Sequence, residues 1–335
     1  MTLPFAAFEE ISSAALILLA ILFNLLFCST TRVARLFSLP MSLASGLIAT
    51  LERRYNRPHA TEAMRLADSL SIAILLAVLG FLIGLGAEVL IRRVPYGWIP
   101  VAMIVGTLLG PRALLERTRL LIASTARSED EARATLTYLT GRDASRLDRS
   151  CIAAAGIESV AMSLTQSVIA PIALYLIAGL PALLPFKLLD TASIMIDERS
   201  DNARSFGSAP RNFASIVLWP LSWLTALLIA MASFLLPRCR AWQALRSVVR
   251  RERYAWPTFS APVRALAHGL GVVLGGSVCI GRFERPGDRL NAGGRPPGTE
   301  DLAQSRYLAM LCLLMMLAVL VALAAMGYVH PIRFI

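Results

Sequence analysis

Long uncharged stretches alternate with arginine-rich polar segments along the chain. Five apolar stretches are long enough to cross a bilayer, at residues 11–28, 70–91, 94–111, 213–237 and 307–329; four of them are uncharged, and 70–91 holds only Glu88, near its end. A membrane helix needs about 20 apolar residues, because each residue adds roughly 1.5 Å against a hydrocarbon core of about 30 Å. The pattern predicts an all-α, polytopic integral membrane protein with about five to six membrane helices, joined by amphipathic helices and irregular loops.

A sixth apolar tract, at residues 151–186, carries Glu158 as its only charged residue and is too long for one straight span. The prolines that interrupt this tract are Pro171, Pro181 and Pro185. Because proline breaks or kinks a helix, we expect a buried helix around Glu158, followed by a membrane or re-entrant helix over about 168–184.

Arginine in the polar connectors predicts the orientation of the spans. Acidic residues near the start of the chain do not suit a signal peptide, so the first apolar run is expected to stay in the protein. With that end outside, the arginine excess places connectors 30–69, 112–150 and 238–306 inside. If the sixth tract crosses fully, connector 187–212 faces the opposite side of the membrane from the other three connectors. If the tract is re-entrant, all four connectors share one side.

The composition agrees with this class and excludes several others. The 335 residues are 56% hydrophobic and 16% charged, with a mean hydropathy of +0.62. The net charge of +11 comes from arginine, since Lys187 is the only lysine. We attribute this charge to the positive-inside rule, and we expect contact with membrane lipid and no nucleic-acid partner. Without a suitable lysine there is no P-loop, and the scattered cysteines and histidines do not predict a zinc site.

Two polar connectors contain recognisable local signals. Ser128 is a predicted N-cap, followed by acidic residues and an amphipathic helical rhythm that stops at Gly141. Residues 281–300 are crowded with glycine, proline and arginine, which favours an irregular loop. The glycines in 268–276 lack dinucleotide-binding spacing and are expected to serve close packing or a turn.

Candidate chemistry gathers around the sixth tract. A carboxylate such as Glu158 is costly in an apolar helix unless it is paired, so it marks either a functional group or a contact with an arginine such as Arg142 or Arg204. Acids and arginines also follow the tract, at Asp190, Asp197, Glu198, Arg199, Asp201 and Arg204. Such a cluster suits magnesium with a polyphosphate, although an ordinary solvated loop has the same composition.

Taken in order, the motifs resemble those of the CobD/CbiB family. Residues 139–161, LTGRDASRLDRSCIAAAGIESVA, are similar to its GRD-T-x-x-L-D segment and the following A-x-x-E-[ST]-V-A helix. The matching positions are Gly141, Arg142, Asp143, Leu147, Asp148, Glu158, Val160 and Ala161. Further resemblances lie at Pro40 with 47–57, at 170–195, at Phe206 and Gly207, at 270–276 and at 299–305. They run collinearly over roughly residues 35–320, which we interpret as one domain over 1–335.

The resemblance implies adenosylcobinamide-phosphate synthase activity in cobalamin biosynthesis. In that reaction aminopropanol or its phosphate joins a propionate carboxyl of adenosylcobyric acid, with ATP and Mg as cofactors. It also implies a multi-pass protein of the cell inner membrane. A homo-oligomer or a complex with other proteins of the pathway stays open.

Roles for individual residues follow from this resemblance. The predicted catalytic acids are Glu158, Asp143 and Asp190. The predicted substrate-binding residues are Arg142, Thr191, Arg199 and Arg204. The predicted metal ligands are Asp197, Glu198 and Asp201.

The chain also departs from the family pattern. Met162 and Ser163 stand where the family has a glutamate and an asparagine, and Ser193 replaces an aspartate. Either nearby acids take over these roles, or the chain is a non-catalytic relative that binds a ligand or acts as a scaffold. A transporter is a third alternative, favoured by the interrupted tract, but no inverted repeat is visible in the sequence.

Overall fold

The protein is almost entirely helical. The computed structural model describes residues 11–27, 39–56, 61–94, 96–141, 144–145, 147–196, 206–250, 252, 254–280 and 283–328. Its first helices are α1 (Ser13–Phe27), α2 (Leu39–Tyr55), α3 (Glu62–Arg92), α4 (Trp98–Leu108), α5 (Pro111–Arg127) and α6 (Glu129–Thr140). These are followed by α7 (Arg149–Leu164), a π-helical turn (Thr165–Ile169), α8 (Ala170–Ala178), α9 (Leu180–Met195) and α10 (Ser208–Ser233). The last elements are α11 (Ala241–Val248), a 3₁₀ turn (Pro257–Phe259), α12 (Ser260–Leu270), β1 (Leu274–Gly275), β2 (Val278–Ile280), β3 (Phe283–Arg285), β4 (Arg289–Leu290) and α13 (Thr299–Ala325).

Five described helical segments are long and apolar enough to cross a membrane. They are Glu62–Leu90, Trp98–Arg127, Arg149–Ala178, Ser208–Ser233 and Thr299–Ala325. This confirms the predicted polytopic, all-α class. Helix α1 has 15 residues, which cover only about 22 Å at 1.5 Å per residue. That residues 11–28 cross the bilayer therefore stays a prediction.

The sixth apolar tract folds differently from our expectation. A continuous helical segment runs through Pro171 and ends at Gly179, which has a φ of +66°. Helix α9 then begins with Pro181 in its first turn. The predicted helix over 168–184 is therefore wrong in its bounds. The π-helical turn just before Pro171 widens the backbone where the proline ring would otherwise clash.

The local signals in the polar connectors have mixed outcomes. The predicted amphipathic helix is confirmed as α6, because the Ser128 side chain accepts a hydrogen bond from the Glu131 backbone N–H and Gly141 ends the helix at a φ of +69°. The predicted irregular loop over 281–300 is partly wrong. It contributes β3 and β4, which pair antiparallel with β2 and β1 in two short two-stranded sheets. Sheet pairing of only two or three residues leaves too little periodicity for a sequence signal.

Contacts within the chain define two compact units, each assembled from separate segments. The first unit contains Met1–Gly110, Ala170–Val217 and Leu317–Ile335. The second unit contains Pro111–Ile169 and Leu218–Met316.

In the first unit, α3 packs along α9 and α1 packs against α4. Gly84 lies so close to α9 that a Cβ atom there would be 2.6 Å from the Leu180 carbonyl oxygen. On α1, the buried Asn24 side chain donates hydrogen bonds to the carbonyls of Gly106 (2.9 Å) and Leu109 (3.0 Å). These bonds satisfy carbonyls at the end of α4 that have no helical partner.

In the second unit, α7 is the central helix and contacts α5, α6, α12 and β1. Helix α12 also packs against α11. Every residue of α12 is buried, so this short helix and α7 form much of the interior around Glu158.

Candidate functional site

Glu158 is held at both carboxylate oxygens inside the second unit. Its Oε2 accepts a hydrogen bond of 2.8 Å from the Tyr254 hydroxyl, and its Oε1 accepts one of 2.9 Å from the Gly275 backbone N–H. The residue is only 3% exposed. Because a buried carboxylate without donors is very costly, these two bonds offset part of the loss of water and fix the direction of the group.

The loop after α12 brings the Gly275 N–H to Glu158. The helix ends in the left-handed Gly271, and Gly275 has a φ of +78°. A Cβ atom at Gly275 would lie 2.7 Å from the Asp288 carbonyl oxygen. Only glycine suits both the conformation and the space. The glycine-rich segment 268–276 therefore forms the predicted turn, and it also supplies a donor to the buried carboxylate.

Asp148, another residue of the family-like motif, has a structural role at the start of α7. Its side chain accepts a hydrogen bond of 2.7 Å from the Cys151 backbone N–H. This bond lowers the pKa of Asp148, because it favours the charged carboxylate. Asp148 is the N-cap of the helix that carries Glu158.

A cleft of about 840 Å³ lies beside Tyr254. One wall is formed by Trp219 and Trp223 on α10, whose rings meet edge to face with centroids 6.2 Å apart. The polar lining includes Arg250 and Glu252. Since Tyr254 both lines this cleft and binds Glu158, the buried carboxylate is one hydrogen bond away from an open, mixed polar and aromatic surface.

Arg264 supports the floor of this cleft. Its guanidinium donates to the carbonyls of Ser247 (3.2 Å) and Val248 (3.1 Å) and to the Ser260 hydroxyl (2.7 Å). Burial lowers the pKa of Arg264, and the negative charge of Glu252 opposes that shift. Because its donors bind carbonyls at the end of α11, Arg264 is best described as a buried cap.

Glu252 and His268 form a close pair next to Arg264. The His268 Nε2 lies 3.5 Å from the Glu252 Oε1, and the histidine side chain is 6% exposed. Burial lowers the pKa of His268; the charge of Glu252 opposes this shift, and the positive charge of Arg250 adds to it. Burial disfavours the charged form, so His268 is neutral over a wider pH range than a solvated histidine.

Asp190 and Thr191 lie on α9 in the first unit. The Asp190 Oδ2 lies 3.8 Å from the Lys187 Nζ, and both side chains are buried. The Thr191 hydroxyl donates to the Lys187 carbonyl at 2.7 Å. Asp190 and Thr191 therefore lie side by side on α9 in the first unit, whereas Glu158 belongs to the second unit.

The remaining predicted site residues lie outside the described residues. They are Arg142, Asp143, Asp197, Glu198, Arg199, Asp201 and Arg204. The suggested pairing of Glu158 with Arg142 or Arg204 therefore stays a prediction. Among the residues that the structure describes, no group of three or more histidine, cysteine, aspartate or glutamate side chains could hold a metal ion.

Several groups around Glu158 were missed in the sequence. Tyr254 and Arg264 lie about 100 positions away in an arginine-rich connector without a motif, so the sequence carries no direct signal for their contacts. His268 was considered only as a metal ligand. A histidine on a helix of small apolar residues, preceded by Glu252 and Arg264, was the available hint of a buried polar cluster.

Comparison with known proteins identifies relatives over most of the chain. The sequence model of the family described as CobD/Cbib protein matches residues 17–309. The Cobalamin biosynthesis protein CobD of Brucella anthropi is 26% identical over 297 residues, covering 86% of this chain and 90% of that protein. The protein of the same name from Rhodobacter capsulatus is 30% identical over 243 residues, covering 71% and 74%. No solved structure matches significantly.

Proposed function

We propose that this chain, which belongs to the CobD/Cbib family, forms the aminopropanol amide of a corrinoid. Family membership supports a role in cobalamin biosynthesis. The proposed reaction joins aminopropanol or its phosphate to a propionate carboxyl of adenosylcobyric acid, with ATP. The proposed location is the cell inner membrane; five helical segments among the described residues are long and apolar enough to span a bilayer.

The main support for this proposal is that two hydrogen bonds hold the Glu158 carboxylate in one orientation. A carboxylate that is buried among apolar helices and oriented by Tyr254 and Gly275 costs stability, and such groups are functional candidates. Its neighbour Tyr254 lines a cleft with room for a substrate group. We infer that Glu158 and Tyr254 orient a substrate group at the cleft.

Magnesium and ATP enter the proposal through the family. We propose that Glu158 orients a substrate group rather than a metal ion, since its two oxygens accept hydrogen bonds from Tyr254 and Gly275. The proposed magnesium ligands are Asp197, Glu198 and Asp201. When bound, Mg-ATP would supply the phosphoryl group that makes a carboxylate a competent acyl donor to the amine.

Cationic and acidic side chains complete the proposed site. We propose that Arg142, Arg199 and Arg204 bind phosphate or corrinoid carboxylates, since a guanidinium pairs with such anions through two parallel hydrogen bonds. Asp143 would act with Glu158. Asp190 and Thr191 on α9 are proposed separately as groups that contact substrate.

Complementation tests the proposal. A strain that lacks its own synthase and receives adenosylcobyric acid should make cobalamin when it carries this gene, and should fail with Glu158→Gln. The matched control is Glu88→Gln, since Glu88 is another buried acid on a membrane helix and lies in the first unit. This control should preserve growth. If wild-type protein is present in the membrane and does not rescue growth, the proposed ligase activity is wrong.

A non-catalytic relative is the second candidate, favoured by Met162 and Ser193 at positions where the family has acids. The two candidates differ in product formation by purified protein. Amide formation from adenosylcobyric acid, Mg-ATP and aminopropanol phosphate supports the ligase. Corrinoid binding without any product supports a binding or scaffold protein.

A further inference from the structure

The Glu252–His268 pair has buried polar atoms that no protein group satisfies. Neither the Glu252 Oε2 nor the His268 Nε2 has a hydrogen-bond partner within the described ranges. The separation of 3.5 Å between His268 Nε2 and Glu252 Oε1 is too long for a good hydrogen bond. Buried polar atoms are nearly always paired in folded proteins, so these two exceptions need a reason.

The position of the pair supplies that reason. Glu252 lines the cleft, and its backbone carbonyl is anchored by the Ser260 hydroxyl at 3.1 Å. His268 is on α12, directly beside it. The same cleft is also lined by Trp219 and Trp223, and the face of an indole ring attracts a cation. The Glu252 side chain is 25% exposed, and a carboxylate in a cleft that is also lined by aromatic rings is suited to an ammonium group.

Among the charged groups around the cleft, Glu252 is the one that suits an ammonium group. Arg264 is occupied by backbone carbonyls and Ser260, and Arg250 is exposed at the cleft margin. These two are the cations whose charge acts on His268. Other charged groups on elements that pack against α12 are Arg149 and Glu158 on α7, Arg246 on α11 and Arg289 on β4. Glu158 is already engaged by Tyr254 and Gly275, so Glu252 is the carboxylate available to the cleft.

We propose that Glu252 binds the ammonium group of the amine substrate at this cleft, and that Glu252 and His268 take the proton which the amine must lose before it forms the amide. This inference rests on the proposed function. It adds two residues that the family-like motifs do not include, and it places the amine, rather than the corrinoid, at the cleft beside Tyr254.

The chemistry balances with the activated carboxyl, an acyl phosphate, as the other reactant. The ammonium N–H bond breaks and its proton passes to the Glu252 carboxylate and on to the His268 Nε2. The freed nitrogen electron pair forms the bond to the acyl carbon. The bond from that carbon to the phosphate oxygen breaks, and the oxygen keeps its electron pair. The second nitrogen proton leaves with the phosphate, and the pair returns the first proton to water.

Histidine NMR tests the binding step without requiring turnover. The chain has three histidines, so full-length protein labelled at histidine ¹³Cε1 and purified in detergent should give a simple spectrum, with His268 assigned from His268→Gln. Titration with aminopropanol should shift the His268 signal in wild type and not in Glu252→Gln. An unchanged wild-type His268 signal at saturating aminopropanol overturns the proposal.

Kinetics test the proton transfer. Glu252→Gln and His268→Gln should each lower kcat/KM for the amine by about 100-fold at neutral pH. The loss should shrink as the pH rises, because the amine then reaches the site already deprotonated. Glu300→Gln, which changes an exposed acid at the start of α13, is the control and should keep the wild-type pH profile.

The two experiments separate this inference from the proposed function. Wild-type amide formation with an unchanged rate and pH profile in Glu252→Gln overturns the inference and leaves the ligase in place. An amine-dependent His268 signal in a protein that forms no amide supports the binding site and rejects the ligase. If a variant fails to fold, the wild-type titration alone still decides whether aminopropanol reaches the pair.

Discussion

Tyr254 donates its phenolic hydroxyl to the Glu158 carboxylate at 2.8 Å, across 96 positions of sequence. The bond joins the membrane helix α7 to the polar connector that follows α11. It therefore links a buried charge to the lining of a cleft, and it makes Tyr254 the most direct probe of the site.

Tyr254→Phe should lower amide formation while keeping the fold. The ring and its contact with Trp256 stay, and only the donor to Glu158 is lost. A hydrogen bond to a charged group contributes about 1.5–3 kcal/mol, which corresponds to a rate loss of about 10- to 100-fold if the bond orients the reacting group. The measurement is kcat/KM of detergent-purified enzyme. Tyr138→Phe, at a side chain that is 87% exposed, should have no effect. If kcat/KM is the same for both variants, Tyr254 does not contribute to the reaction.

Gly275→Ala should destabilise the protein through its backbone. The φ of +78° disfavours a side chain, and the new Cβ would meet the Asp288 carbonyl oxygen at 2.7 Å. We expect a loss of about 1–3 kcal/mol, together with lower activity, because the N–H that binds Glu158 would move. Thermal unfolding in detergent is the measurement. Gly293→Ala is the matched control, since a Cβ atom added there would have no other atom within 4 Å, and its melting temperature should stay within about a degree of wild type.

Asp301→Asn should loosen the start of α13. Asp301 is 1% exposed and receives two hydrogen bonds from the Arg295 guanidinium and one of 2.8 Å from the Gly298 N–H. The carboxylate raises the pKa of Arg295, in keeping with a strong ion pair. We expect a loss of about 1.5–3 kcal/mol. Glu131→Gln, which breaks the exposed pair with Arg127, should cost less than about 1 kcal/mol. Similar losses in both variants would contradict this ranking.

The stability of the protein should fall as the pH decreases below about 6.5, the ordinary pKa of histidine. Burial lowers the pKa of His268 in the folded state, so the unfolded chain binds a proton at higher pH than the folded chain does. Protonation therefore favours unfolding between the two pKa values. Melting temperatures measured from pH 8 to pH 5 should decline, and His268→Gln should flatten that decline. If the melting temperature of His268→Gln declines with pH as it does in wild type, His268 does not titrate as proposed.

Much of the fold was predictable because its signals are local. Uncharged runs of membrane length predicted the long apolar helices, and Ser128 and Gly141 marked the ends of α6 correctly. The resemblance of residues 139–161 to a family motif was also available directly, and the comparison confirms the family. The break in the sixth tract was placed wrongly, since a π-helical turn accommodates Pro171 and the chain turns at Gly179 instead.

The candidate site likewise combines a local sequence signal with contacts that depend on the fold. That Glu158 is an isolated charge in an apolar tract can be read from the chain alone, because it depends only on residue types and their order. The groups that satisfy this charge become visible only in the folded protein. Tyr254 and Gly275 come from distant segments, and their approach depends on how α12 packs against α7 and how the following loop turns. The same packing brings Glu252 within 3.5 Å of His268, a contact with no periodic signal in the sequence.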